Sequence, residues 1–351
     1  AEAAQKYSDF LSRFPGHAYV SQVMLERGLA HKAARAYPAA LQDFDAIIGK
    51  TPPTKEREVA LLQKALLLGE QKDYGEMAGA FAQLIQDYPQ TAAAAQANFW
   101  IGWAAYESKD YPAALPALKK ARELDAKNYG DRAGLRIILA YYYLEDADEV
   151  AKQIAEHPVT NLPGEVYQWL AAKYLEAKAY AKAEKFLELL ASGTLGPVSA
   201  ETHLSLAQAR LEQKKYAGAV EAAQKFLDSA RDPLNRARGL MLQAEAELGQ
   251  SHYDAAAKRA DECLLLQPEG AMNAQARLLS GRILAARGDN DEAARAFMTI
   301  AVLYDDPQIT PDALKRAAAA YQKAGNALEA QNALKELEKR YPDQLQKKDF
   351  E

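Results

Sequence analysis

A chain of 351 residues, 49% hydrophobic and 26% charged with a net charge of -5, has the make-up of a folded protein rather than a disordered one. Acids and bases are interleaved, so no basic face favours nucleic acid or anionic lipid, and no apolar run approaches the roughly 18 residues that a membrane span needs. Cys263 is the only cysteine, which excludes an internal disulfide framework, and in DECLLLQP it takes the place of a small buried apolar residue.

Residues 2 to 14, EAAQKYSDFLSRF, predict a helix with Ala3, Tyr7 and Phe10 spaced towards Pro15. It reads as the second helix of a pair whose first helix is missing. Residue 1 is Ala rather than Met, and together these lead us to expect a natural chain that extends upstream, or one that was cut there. Paired helical segments follow, each with apolar residues at i, i+3, i+4 and i+7. They fall at 17–34 with 38–50, 55–71 with 75–87, 91–108 with 112–123, and 129–144 with 147–156. The series continues at 164–177 with 181–191, 198–213 with 217–229, 233–249 with 254–265, 270–287 with 291–303, and 310–324 with 328–340.

Prolines at Pro15, Pro52, Pro89, Pro158, Pro197, Pro233, Pro268, Pro307 and Pro342 mark a period of about 37 residues. Proline lacks an N–H and disfavours helix just before itself, so it is expected to stop each second helix. Most second helices open on a repeated phrase, as in YPAALQDF (Tyr37, Ala40, Phe44) and YPAALPAL (Tyr111, Ala114, Leu118). Eight of these first helices carry a small residue where two helices could cross closely: Gly28, Ala65, Gly102, Ala171, Ala207, Ala244, Gly281 and Ala318. No segment alternates with the period of a strand. The fold class is therefore all-α: antiparallel helix pairs, about nine of them plus the unpaired N-terminal helix, stacked because one pair cannot bury its apolar stripe alone.

Two stretches break the pattern. LEDADEVAKQIAEHP lacks the opening tyrosine, runs short and is followed by NLPG, and ASGTLGPVS spans 191 to 199. We expect one continuous solenoid over 1–351, with an irregular joint at 144–163 or 191–199.

The period, the A-x3-F at Ala40/Phe44 and Ala293/Phe297, and the Ile101-Gly102 pair resemble the tetratricopeptide repeat family. That resemblance implies a right-handed superhelical solenoid that holds a peptide or protein partner in its concave groove, lined by the first helices. The chain departs from the family in its period, near 37 rather than 34, and in lacking the first-helix tryptophan in most repeats. The spacing of 37 with YPQTAAAAQANFWIG is similar to repeats of bacterial outer-membrane and periplasmic lipoproteins, which implies a periplasmic or outer-membrane-associated location, with a cytoplasmic one as the alternative.

The sequence holds no phosphate-binding loop, nucleophile elbow or paired metal-ligand motif. Its five histidines are scattered, and no cofactor or metal is implied. GDNDEA reads as a turn in which Asp289 or Asn290 caps the following helix. We therefore expect a non-catalytic interaction scaffold. The alternative is a repeat module of a larger protein or complex whose catalytic or membrane-assembly function lies outside this chain. Self-association through the terminal repeats is a further expectation.

The candidate docking residues lie in the aromatic-rich middle. The phase set by Gly102 turns Phe99, Trp103 and Tyr106 towards the groove, and leaves Trp100 and Ile101 for the core. AYYYLE adds Tyr142 and Tyr143, and VYQWLAAKY adds Gln168. Large aromatics with a polar tip are enriched where proteins bind proteins.

Overall fold

The computed structural model describes residues 2–344, and among them every regular element is helical. An unpaired helix α1 (Glu2–Arg13) is followed by nine pairs. The first members are α2 (Val20–Ala33), α4 (Arg57–Glu70), α6 (Ala94–Glu107), α8 (Ala126–Tyr143), α10 (Gly164–Glu176), α12 (Ala200–Glu212), α14 (Pro233–Gly249), α16 (Gly270–Arg287) and α18 (Thr310–Lys323). The second members are α3 (Tyr37–Ile48), α5 (Tyr74–Asp87), α7 (Tyr111–Leu124), α9 (Ala147–Glu156), α11 (Tyr180–Ala191), α13 (Tyr216–Ser229), α15 (Tyr253–Leu265), α17 (Asn290–Leu303) and α19 (Ala327–Arg340). The expected all-α pairs are thus the observed ones, with boundaries within a few residues. The chain divides into two compact units between Pro163 and Gly164.

What repeats most strictly is the turn inside each pair. Its residue in the left-handed region falls at Arg35, Lys72, Lys109, Glu145, Lys178, Lys214, Ser251, Gly288 and Gly325, with φ between 55° and 99°. The next N–H reaches back into the last turn of the first helix, as from Asp73 to the Leu68 carbonyl and from Asp110 to the Ala105 carbonyl. This motif satisfies carbonyls that the helix end would otherwise leave unpaired. A side chain in that conformation costs about 1 kcal/mol, so only Gly288 and Gly325 take it freely. Asp73, Asp110 and Asp146 then cap the following helix, each accepting from a main-chain N–H three residues on. Asp289 does not: it makes no side-chain cap, and its carboxylate pairs with Arg287 instead. The expectation that Asp289 or Asn290 caps α17 is corrected accordingly.

Behind the turn, the crossing glycines of the first helices meet large second-helix residues. All eight predicted crossing residues are buried. A Cβ on Gly28 would come within 2.7 Å of Phe44, and one on Gly281 within 2.5 Å of Phe297. In the fourth pair Ile138 is buried at the crossing end of α8, and its partner α9 has only 10 residues. The proline rule has one exception. Pro233 does not end α13 but stands at the start of α14, after the capping Asp232, where its missing N–H costs nothing. Cys263 is fully buried, and burial pushes its thiol up to about 11. No helix among the described residues is long and apolar enough to cross a membrane.

Gly102 is the strictest crossing, since an added Cβ would meet Leu118 Cγ at 2.7 Å and the Leu118 main-chain nitrogen at 2.9 Å. Main chain cannot step aside as a flexible side chain can. Gly102→Ala should destabilise the chain by about 1–3 kcal/mol, whereas Gly79→Ala, with nothing within 4 Å of the new Cβ, should stabilise it by up to about 1 kcal/mol through helix propensity. Urea titrations followed by circular dichroism would read opposite shifts in midpoint.

Candidate functional site

In the first unit, α6 and α8 are successive first helices. Along α6 the side chains of Phe99, Trp103 and Tyr106 share a face because they are spaced i, i+4, i+7. Along α8 the same periodicity aligns Tyr129, Arg132, Arg136 and Tyr143. The two faces meet, and the meeting decides the fate of each residue.

Phe99 is fully buried. Tyr129 lies against it at 5.0 Å between ring centroids, Trp100 at 5.4 Å, and the Arg132 guanidinium covers its ring at 4.4 Å. The groove-facing placement expected for Phe99 is therefore corrected. It is a core residue, because the first helix of the next repeat packs over that end of α6. Trp100, expected in the core, is only partly buried. Trp103 is partly buried, edge-on to Tyr74 at 4.4 Å and to Trp100 at 5.4 Å, so it spans from the second pair's core to the surface.

Towards the C-terminal end of α6 the face opens. Tyr106 is partly buried against Tyr111 at 5.5 Å and Tyr143 at 6.5 Å. Tyr143 stacks on Tyr111 at 5.0 Å with the planes 16° apart, and touches Tyr142 edge-on at 5.3 Å. Half of Tyr143 (52%) remains exposed. Beneath this cluster the Arg136 guanidinium lies 5.9 Å from the ring centroids of both Phe99 and Tyr106, a favourable placement of a cation over π faces. The structure thus brings Tyr106, Tyr142 and Tyr143 together. Gln168 belongs to the second unit, where it is exposed and lines a cleft of about 250 Å³ with Leu175, Leu187, Thr202 and Ser205. A second cleft in that unit, about 350 Å³, is lined by Arg282, Arg316 and Lys323 over Ala285, Ala319 and Phe297.

Sequence reasoning missed Arg132, Arg136 and Tyr111 as members of the face. The repeat pattern marks Tyr111 only as the opening residue of a second helix. The arginines were legible in GDRAGLRI as an i, i+4 pair in phase with Tyr129 and Tyr143, had α8 been phased as α6 was.

Burial pushes the Tyr106 hydroxyl up to about 12, with Tyr143 and Tyr111 adding to it and Arg136 opposing. A folded-state value above the unfolded one means that the folded chain holds this proton more tightly. The associated stability is intact below pH 10 and is lost as pH rises from 10 towards about 12. Alkaline titration by circular dichroism should place the unfolding midpoint of Tyr106→Phe at a higher pH than that of the wild type; coincident midpoints would mean that Tyr106 titrates as an ordinary tyrosine.

Two models of the tetratricopeptide repeat match the chain, one over residues 62–129, 170–235 and 241–312 and the other over 312–343. No curated protein matches the sequence. Among solved structures the chain is similar to MamA, at 18% identity over 49% of this chain and 95% of that one with a TM-score of 0.42. It is similar to the C-terminal part of a TPR repeat-containing protein from Cytophaga hutchinsonii, at 16% identity over 70% of this chain and 95% of that one with a TM-score of 0.45. PilW, a type IV pilus biogenesis factor, matches at 16% identity over 73% of this chain and 98% of that one with a TM-score of 0.39.

Proposed function

The chain belongs to the tetratricopeptide repeat family, and on that premise we propose that it is a non-catalytic scaffold that binds a protein partner on the α6–α8 face of its first unit. The observation that carries this reading is the open cluster of Tyr106, Tyr111, Tyr142 and Tyr143 beside Arg136. Aromatic rings and arginine are the side chains that dominate binding energy at protein interfaces. These tyrosines are held by one another before any partner arrives, so little side-chain entropy remains to be lost on binding. Trp103, wedged between Tyr74 and Trp100, extends the same surface. The cleft beside Gln168 is a second place where a partner's side chain could lodge.

A periplasmic or outer-membrane-associated location is part of the proposal, supported by the likeness of the 37-residue repeats to those of bacterial envelope lipoproteins. The chemistry of the described side chains favours binding over catalysis. Cys263 is buried with its thiol held protonated, and a thiol in that state is a poor nucleophile.

Tyr143→Ala and Trp103→Ala should each weaken a partner by about 2 kcal/mol, roughly 30-fold in affinity. Affinity capture from the native host, comparing wild type with both variants and followed by titration of the captured protein, reads this directly. Unchanged helical circular dichroism with lost capture supports the face. Capture that survives both substitutions moves the binding surface elsewhere.

A further inference from the structure

The cleft beside Gln168 is built from two unlike halves. Its floor is apolar, with Ala171, Leu187 and Leu190 buried and Leu175 at the edge. Its wall is the start of α12, which presents Ser199, Thr202 and Ser205, spaced by threes and so on one side of the helix. Thr202 is only 8% exposed. Among the described residues its hydroxyl has no hydrogen-bond partner, although buried polar groups ordinarily find one. Elsewhere in this chain such hydroxyls return to the carbonyl four residues back, as at Ser108, Ser280 and Thr299.

The helix end is open as well. Ser199 makes no side-chain cap, whereas Asp125 and Asp232 cap α8 and α14 at the corresponding place. The first N–H groups of α12 therefore keep their partial positive charge, beside three hydroxyls able to donate. Glu201 stands at the rim of the cleft. Arg238 donates to both of its oxygens, which ties this carboxylate to α14 rather than to its own helix end. A carboxylate accepts about four hydrogen bonds, so Glu201 keeps capacity for a further donor. No basic side chain and no aromatic ring lines the cleft. A phosphate or a dicarboxylate would meet Glu201 without a counter-charge.

We propose that this cleft binds a free aliphatic amino acid of about the size of leucine. Its carboxylate sits at the start of α12 among the hydroxyls of Ser199, Thr202 and Ser205. Its ammonium faces Glu201 and the side-chain carbonyl of Gln168, and its side chain lies over Leu175, Leu187 and Leu190. The zwitterion answers each half of the cleft with the opposite character and leaves Thr202 satisfied. A cleft of about 250 Å³ holds about eight water volumes, which suits one such molecule. The site belongs to the second unit and does not depend on the α6–α8 face. The carboxy-terminal residue of a protein partner offers the same carboxylate and side chain but no ammonium, and the test separates the two.

The test is isothermal titration calorimetry of the full chain with L-leucine, N-acetyl-L-leucine, L-leucinamide and glycine. L-leucine should bind saturably, and the other three about 10-fold or more weakly, since each lacks one of the groups the cleft receives. Thr202→Val removes the buried hydroxyl, and Ala172→Trp fills the cleft from an exposed position while leaving the core intact. Each should lower the affinity for L-leucine about 10-fold or more with unchanged helical circular dichroism. L-leucine should also raise the Tm of the wild type and leave that of Ala172→Trp unmoved. N-acetyl-L-leucine binding as tightly as L-leucine, with L-leucinamide weak, would assign the cleft to a partner's carboxy terminus and overturn the free amino acid. Equal binding of all three leucine derivatives would reduce the cleft to an apolar slot and overturn it too. So would the lack of saturable binding by leucine, isoleucine and valine at millimolar concentration, or leucine binding indifferent to Ala172→Trp.

Discussion

The contact on which the rest depends is the crossing inside the helix pairs, seen at its closest where a first-helix glycine lies under a large second-helix side chain. At Gly28 the neighbour is Phe44, at Gly102 it is Leu118 and at Gly281 it is Phe297. Close approach there sets the separation of the two helices and hence where the turn must reverse the chain. The turn then has a single geometry to satisfy, and the same left-handed residue and the same backward N–H bond recur in all nine pairs. That lysine, arginine, glutamate and serine accept this conformation in seven of them shows which constraint wins. Packing at the crossing outweighs a local backbone cost of about 1 kcal/mol per turn.

The same hierarchy explains what could be read from the sequence. Helix pairs, crossing residues and the short fourth pair follow from periodicity within one repeat, and they were legible because each rests on local spacing. Phe99 was misplaced because its burial is decided by another repeat. Periodicity says that Phe99, Trp103 and Tyr106 share a face, but not how far along that face α8 reaches. Tyr129 and Arg132 close the N-terminal end over Phe99, while Trp103 reaches the surface beside Tyr74 and Tyr106 stands at the opening. Asp289 was misread for a related reason. The nearby Arg287 takes its carboxylate, and a cap residue type fulfils its role only when nothing stronger competes.

Charges are treated differently on the two faces described. In the second unit, Arg238 reaches Glu201 and Arg282 reaches Glu245, each pair 37 residues apart, so that one repeat is tied to the next along its first helices. Glu184 is the most enclosed member of a further group. Burial opposes its ionisation, yet hydrogen bonds from Lys215, Gln213 and Arg210 outweigh this and hold the carboxyl below its usual range. Exposed pairs of this kind contribute little to stability, about 0–1 kcal/mol. Their placement matters more for register, since each ties one first helix to the next at a fixed position.

Against that background the α6–α8 face is set apart by what is missing from it. The repeat-to-repeat pairing that joins Arg238 to Glu201 has no counterpart between α8 and α6, where arginine meets aromatic rings instead of an acid. An arginine over a ring keeps its charge and most of its donors, whereas an arginine in an ion pair has committed both. A solenoid whose first helices were tied everywhere by internal ion pairs would be well registered but would offer a partner few unsatisfied groups. Replacing the tie by aromatic packing at one place preserves the contact between neighbouring repeats and leaves the charge uncommitted. The fully buried Phe99 is what makes this exchange workable, because it anchors both arginines without consuming their hydrogen-bonding capacity.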